Sequence, residues 1–275
     1  VEGGAIDAGG VRCHVIVDGW RAVSPRFVFK GYDEDVHGPF VRPFLDGEGR
    51  LKGRFACLLI DVPSGPVLVD AGVGHFAPDL DAGKALGILN GMGISAADIR
   101  TVVVTHGHAD HVGGLVDANG ELVFTDARHL MHTSEVAFWS SPEAEALPGG
   151  ASIPAATALR ALRAAGSLDT IHGDFEVSPG IVAMWAPGHT PGHLALAVNR
   201  SLLWAGDTIV APLNISHPEW VSSADMDGET NEQTRRALLE LAAREGITLA
   251  GPHLQVLGLI QRDGDVFRMR EEISP

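Results

Sequence analysis

Residues 99–114 read Ile-Arg-Thr-Val-Val-Val-Thr-His-Gly-His-Ala-Asp-His-Val-Gly-Gly, and no other stretch limits the fold as severely. Six of the first seven residues are β-branched, which predicts a buried strand over 99–105. Four metal-ligating side chains then arrive within six residues: His106, His108, Asp110 and His111. His106 and His108 are two apart, so in an extended segment they project to the same side. Asp110 and His111 follow where the chain turns toward a helix, and they aim at a neighbouring point. One segment can therefore feed two adjacent metals. Gly113 and Gly114 allow close backbone approach just behind them.

Three later positions repeat the arrangement of a ligand-type residue just past a buried strand. The strand expected over 181–185 is followed by Ala-Pro-Gly-His189, that over 202–205 by Gly206-Asp207, and that over 247–250 by Gly-Pro-His253. Functional groups on loops at strand ends, with Gly or Pro setting the turn, belong to a site built on a rigid scaffold.

Thirteen histidines against two cysteines direct attention to a His/carboxylate site. Cys13 and Cys57 lie in apolar strand-like runs and read as small buried hydrophobes. The formal charge of −15 disfavours nucleic acid or an anionic membrane surface as a partner. No apolar run approaches the roughly 20 residues that span a bilayer, so the expectation is a soluble, cytoplasmic protein. The chain opens on Val1 rather than Met, which leaves a removed N-terminal targeting segment open.

Further strands are expected over 11–17, 129–132 and 194–198, with a hairpin formed by 55–62 and 66–70 and an edge strand over 265–269. Helices are expected around 80–89, from Ser134 to near Pro142, over 153–165, and over 229–244 with Gly246 as its stop. Strand blocks with helices between and after them point to two sheets covered by helices. No linker divides residues 1–275, which read as one domain. Residues 19–53 mix Gly and Pro with aromatics, and are expected to form an irregular arm or pocket-covering insertion.

Taken together, His106, His108, Asp110, His111, His189, Asp207 and His253 resemble the ligand set of the metallo-β-lactamase superfamily, over about residues 50–260. The resemblance implies an α/β (α+β) fold, an αββα sandwich with the site at one edge of the two sheets. It implies that His106, His108 and His189 hold one metal, that Asp110, His111 and His253 hold a second, and that Asp207 bridges them. It also implies Asp70 as the acceptor behind a ligating imidazole and His193 as a loop-fixing residue. Thr105 is expected to pack or hydrogen-bond under the ligand loop. Such ligands suit zinc first, and also manganese, cobalt or iron. Two ions about 3.5–4 Å apart share a water and lower its pKa toward ~7. The bridging hydroxide would attack a carbonyl or phosphoryl centre, with Asp110 or Asp207 taking up a proton.

Departures within the superfamily narrow the reading. Class B1 β-lactamases carry Arg where His111 stands and Cys where Asp207 stands, and class B3 enzymes generally lack the bridging Asp. Flavodiiron proteins carry Glu at the position of His108. Acyl-homoserine lactonases carry a Tyr three residues after the bridging Asp; this chain has Val210 there, and its one tyrosine is Tyr32. The fullest local resemblance is to the methyl parathion hydrolase-like branch, which includes organophosphate triesterases and lactonases. It rests on Ala186-Pro-Gly-His-Thr-Pro-Gly-His193, His217-Pro-Glu-Trp220, Arg235/Arg236 and Gly251-Pro-His253. That branch implies a homodimer and an aromatic pocket, for which Trp220, His217, Trp139, Phe138 and Phe29 are candidates.

The expectation is a dinuclear metal-dependent hydrolase acting on a small, neutral, largely apolar lactone or other ester. An organophosphate triesterase is the second reading and a β-lactamase the third. A mononuclear iron dioxygenase and a non-catalytic metal-binding module are the rivals from other classes; the intact ligand set argues against the module.

Overall fold

The computed structural model describes residues 4–271. Among them, fourteen strands form two seven-stranded sheets. The first sheet runs β1 (Ala5–Ala8), β2 (Val11–Val23), β3 (Leu51–Ile60), β4 (Val67–Val69), β5 (Thr101–Val103), β6 (Arg128–His132) and β7 (Leu168–Ile171), neighbours in sequence being neighbours in space. The second runs likewise through β8 (Phe175–Ser178), β9 (Ile181–Trp185), β10 (Leu194–Val198), β11 (Leu202–Trp204), β12 (Thr248–Ala250), β13 (Gly258–Asp263) and β14 (Val266–Glu271). Strands β1 to β4 pair antiparallel and β4 to β7 parallel. In the second sheet β11 and β12 are parallel, and the helix Gly228–Glu245 makes the crossover that parallel pairing requires.

Alternation along the strands divides the apolar residues among three layers. Leu58, Val69 and Val103 of the first sheet meet Leu194, Leu196 and Trp204 of the second between the sheets. Cys57, Leu59, Leu68 and Val102 face the other way, onto Leu89, Leu159 and Leu162 of covering helices. Ala195, Leu203 and Leu249 face Leu238, Leu239 and Ala242 of Gly228–Glu245. The order helix, sheet, sheet, helix is the αββα sandwich. The long helix is capped at both ends. Asp227 accepts from the Thr230 N–H at 3.0 Å, and Gly246 takes the left-handed conformation (φ 66°) that closes a helix without a Cβ penalty.

The arm is shorter than 19–53. Residues 19–23 continue β2 and pair with β3 beyond an irregularity at Val17/Gly19. A Cβ at Gly19 would collide with the backbone of Asp81 and Ala82, so this strand runs close under a second segment and needs its glycine. Between β2 and β3 lie only short turns of helix, Pro25–Val28, Gly38–Val41 and Arg42–Phe44. The helix expected around 80–89 begins later, at Ala85. The segment after Ser134 splits into Thr133–Trp139 and Pro142–Glu145, because a proline opens a helix but does not continue one. Strands β1, β7, β8 and β13 were not expected. Among the described residues no helix is long and apolar enough to cross a membrane.

Candidate metal centre

The ligand-type residues gather at one edge of the sandwich because their strands end there. His106 follows β5, His189 follows β9, Asp207 follows β11 and His253 follows β12. Asp70 follows β4, and the Leu194 N–H donates to the Thr105 carbonyl at 3.0 Å, tying the two sheet edges together. Gly113 and Gly114 press against the carbonyls of Val73 and Ala71, where a Cβ has no room.

Two groups of ligand-type atoms form, each within 4.8 Å of one another, and Asp207 belongs to both. In the first, His106 Nε2 lies 2.9 Å from His108 Nδ1, which lies 3.0 Å from His189 Nε2. Asp207 Oδ2 stands 3.8 Å from His106 Nε2 and 3.4 Å from His189 Nε2. In the second, His253 Nε2 is 3.0 Å from Asp207 Oδ2 and 3.6 Å from Asp110 Oδ2. His111 Nε2 is 3.3 Å from Asp207 Oδ1 and 3.7 Å from Asp110 Oδ2.

The outer ring nitrogens decide what faces inward. His189 Nδ1 lies 2.8 Å from Asp225, His111 Nδ1 2.8 Å from Asp70, and His253 Nδ1 2.6 Å from the Arg54 carbonyl. Those partners only accept, so each Nδ1 carries a proton and each Nε2 of the neutral ring turns a lone pair to the centre. Thr105 Oγ1 donates to Asp70 at 2.8 Å and accepts from His106 Nδ1 at 3.1 Å, which fixes His106 in the same way. The inner neighbours of His111 and His253 are carboxylate oxygens, again acceptors, and those of His106 and His189 are His108 Nδ1 and an Asp207 oxygen. His111 Nε2 and Asp207 Oδ1 are buried without a hydrogen-bond partner. Acceptors facing acceptors in a dry site need cations or shared protons between them. The donor set, imidazole and carboxylate without thiolate, fits two divalent cations.

The electrostatics show the centre's demand for positive charge. Burial pulls the His108 pKa down to about 3, with His189 adding to the effect. Burial works the same way at His111, but Asp207, Asp70 and Asp110 overcome it and raise the pKa well above the usual histidine range. At His253 Asp207 and Asp110 likewise prevail over burial. Burial would raise Asp207, yet His253 and His111 hold it well below the usual carboxylate range.

Around this centre, Asp70 adopts φ 63°, unusual for a residue with a side chain, and accepts from the Thr105 N–H as well as from Thr105 Oγ1. His193 stands behind Asp207. Its Nδ1 donates to the Ala186 carbonyl at 3.1 Å and its Nε2 accepts the Asp207 N–H at 2.9 Å. Three supporting residues, Asp225, Arg54 and Glu135, escaped the sequence reading, and Arg235 entered it only as part of the branch resemblance. Asp225 fixes His189, and Arg235 donates to the carbonyls of Thr208, Pro218 and Trp220. Arg54 donates to the carbonyls of Gly251 and Pro252 beside His253. Glu135 accepts from two ligand loops. Their partners across the site stand at no recognisable sequence spacing; Glu135 carried only the ordinary signal of an acid in a first helical turn.

A cavity of about 580 Å³ opens beside His253, with Phe29, Leu51, Val210, Leu213 and Phe267 in its wall. Of the five pocket candidates, Phe29 lines it. Trp220 meets Phe29 edge-on at 5.3 Å and stacks on His217 at 4.1 Å, so this pair backs the wall rather than forming it. Trp139 and Phe138 lie elsewhere. Trp139 is buried in the helix-side core with its ring 5.5 Å from His108, and Phe138 packs edge-on against it. Their helix turns its apolar face into the core, the ordinary fate of an aromatic stripe. Tyr32 gives its hydroxyl to Glu34 at 2.7 Å.

A family model described as the metallo-beta-lactamase superfamily matches residues 56–253. N-acyl homoserine lactonase AiiA of Bacillus thuringiensis subsp. kurstaki is 26% identical over 160 residues, covering 52% of this chain and 57% of the relative. The chain thus spans little more than half the length of the curated relatives it matches. Among solved structures, AidC, a dizinc quorum-quenching lactonase in complex with a product, superimposes with TM-score 0.87 at 22% identity, over 98% of this chain and 97% of that one. Hydrolase AbOPH of the beta lactamase superfamily gives 0.86 at 24% identity, over 97% and 96%. These two likenesses show a shared fold.

Proposed function

This chain belongs to the metallo-beta-lactamase superfamily, and we propose that it is a dinuclear metal-dependent hydrolase that opens a lactone, or cleaves another ester, bearing an apolar substituent. The observation that carries the reading is the pair of inward-facing acceptor groups sharing Asp207. His106, His108 and His189 would hold one cation and Asp110, His111 and His253 the other, with zinc the best match to the ligand chemistry. Two bound divalent ions would polarise a substrate carbonyl and make water acidic enough to attack near neutral pH.

The chain's own groups supply the rest. Asp207 belongs to both groups and would offset the repulsion between two bound cations. Asp110 is 21% exposed where Asp207 is 6% exposed, so Asp110 is the carboxylate placed to pass a proton to a leaving alkoxide. Val210 lines the cavity at the position where acyl-homoserine lactonases carry tyrosine, and Tyr32 is engaged with Glu34, which leaves proton handling to Asp110. The cavity's apolar wall excludes water beside His253 and suits an acyl or alkyl substituent. The activity for which the curated relatives are named, N-acyl homoserine lactonase, supports a lactone as first substrate.

The test is a panel of acyl lactones, aryl esters, phosphotriesters and β-lactams, run on protein loaded with zinc, manganese or cobalt. Lactone or ester turnover that disappears with chelator is expected. Preferential phosphotriester turnover would move the substrate class. One iron per chain with oxygen consumption would overturn the hydrolase reading.

A further inference from the structure

We propose that Glu135 is a positioning residue that locks the loops of His106–His108 and His189 into one metal-binding group, so that this group keeps its cation only while the carboxylate is in place. The inference rests on the metal-dependent reading above. The two loops leave different sheets, one after β5 and the other after β9. Glu135 Oε1 accepts from the Gly107 N–H at 2.9 Å and from Trp139 Nε1 at 2.5 Å. Its Oε2 accepts from Thr190 Oγ1 at 2.7 Å and from the Gly192 N–H at 2.8 Å. Gly107 lies between His106 and His108, and Thr190 and Gly192 follow His189. One fully buried carboxylate thus spends one oxygen on each loop.

Three of its four partners are obligate donors, so an amide side chain, whose NH2 end cannot accept, cannot serve them all. Glycine at both contact points is a requirement of the same arrangement. A Cβ on Gly107 would run into the Trp139 indole, and one on Gly192 into the backbone nitrogen of Glu135. Besides this carboxylate, the Leu194 N–H to Thr105 carbonyl bond joins the two loops, on the strand side of the ligands. The contacts of 2.9 and 3.0 Å among three imidazoles from these loops therefore depend on a helix that supplies no ligand itself.

The deciding variant is Glu135→Gln, close in shape but with an NH2 end that must face donors of one loop. Zinc-loaded wild type and variant are compared for zinc content after desalting, for release rate into a chelator, and for melting temperature of the metal-free protein. Leu159→Ala, a core substitution away from the site, serves as the reference for stability loss alone. Glu135→Gln should retain one zinc per chain or release one zinc at least tenfold faster, while Leu159→Ala keeps both zincs at a similar loss in melting temperature. Wild-type zinc content and release in Glu135→Gln would overturn the proposal and leave the metal-dependent reading standing. A wild type that binds no zinc, manganese or cobalt would overturn both. If Glu135→Gln does not fold, Thr190→Val removes one of the four bonds: faster release of one zinc supports the proposal, and unchanged release overturns it.

Discussion

The proton on His189 is placed by a residue 36 positions away: Asp225 accepts a hydrogen bond from Nδ1–H, and the lone pair on Nε2 is left for the centre. His111 depends on Asp70 in the same way. Asp225→Asn and Asp70→Asn keep the volume but remove the charge that holds each imidazole in its tautomer, and each should weaken metal affinity by about 10–100-fold. Chelator competition on the purified variants checks this, and unchanged affinity would remove the orienting role. His106→Ala and Asp110→Ala act on the inner groups and should lose metal content and turnover together; a fully active, metal-free variant would sink the reading. At this scale the inward-facing residues were readable because four of them crowd into six positions and the others stand just past apolar strands. Asp225, Arg54 and Glu135 were not, nor was the role of Arg235, because a hydrogen bond across long sequence separation leaves no spacing to read.

Among the elements, strands β5, β9, β11 and β12 were legible as short, mostly apolar runs, and those runs set the edge where the site forms. Strands β1, β7, β8 and β13 were not, since edge and partly exposed strands lack a clean alternating pattern. The tail of β2 was hidden by Gly19, a glycine required by a close crossing and easily taken for a turn. The helix Gly228–Glu245 does more than cover the second sheet. The N–H of its capping residue Asp227 donates to the Gly188 carbonyl next to His189, and Arg235 on its buried face grips the loops around Thr208 and Trp220. Asp227→Ala removes the side-chain bonds to Thr230 and should cost about 1 kcal/mol, lowering the melting temperature by roughly 2 °C with both metals retained. Arg235→Met should cost more, on the order of 3 kcal/mol, because the buried Thr208 and Pro218 carbonyls lose the donor that Arg235 gives them. A thermal melt of both variants orders the two effects.

For the molecule as a whole, the charge of −15 does not extend to the cavity, where the described lining residues carry no carboxylate and include Lys52 and Arg268. Cations bound only by the folded chain should stabilise it by about 2.7 kcal/mol per site at a hundred times Kd, so chelation should lower the melting temperature measurably. Acid acts through a different group. His129, in β6 between β5 and β7, is buried away from the site, and both ring nitrogens lack a hydrogen-bond partner. Burial lowers its pKa to about 4, against a weaker opposing pull from the backbone at Ser167 and Ala127. In the unfolded chain the ring titrates near 6.5. Above that pH neither state binds the proton, and the group has no pH-dependent effect. Between about 6.5 and 4 the unfolded chain binds a proton that the folded chain refuses, so stability falls as pH falls, by on the order of 1 kcal/mol per pH unit. Below about 4 both states are protonated and the loss stops growing. Metal-site histidines and carboxylates also respond to acid, but they are common to wild type and a His129→Leu variant. The difference in urea-unfolding free energy between the two isolates His129, and it should shift in the variant's favour as pH is lowered from 7.5 to 4.5. A difference independent of pH would mean that His129 is hydrogen-bonded well enough to charge inside the fold.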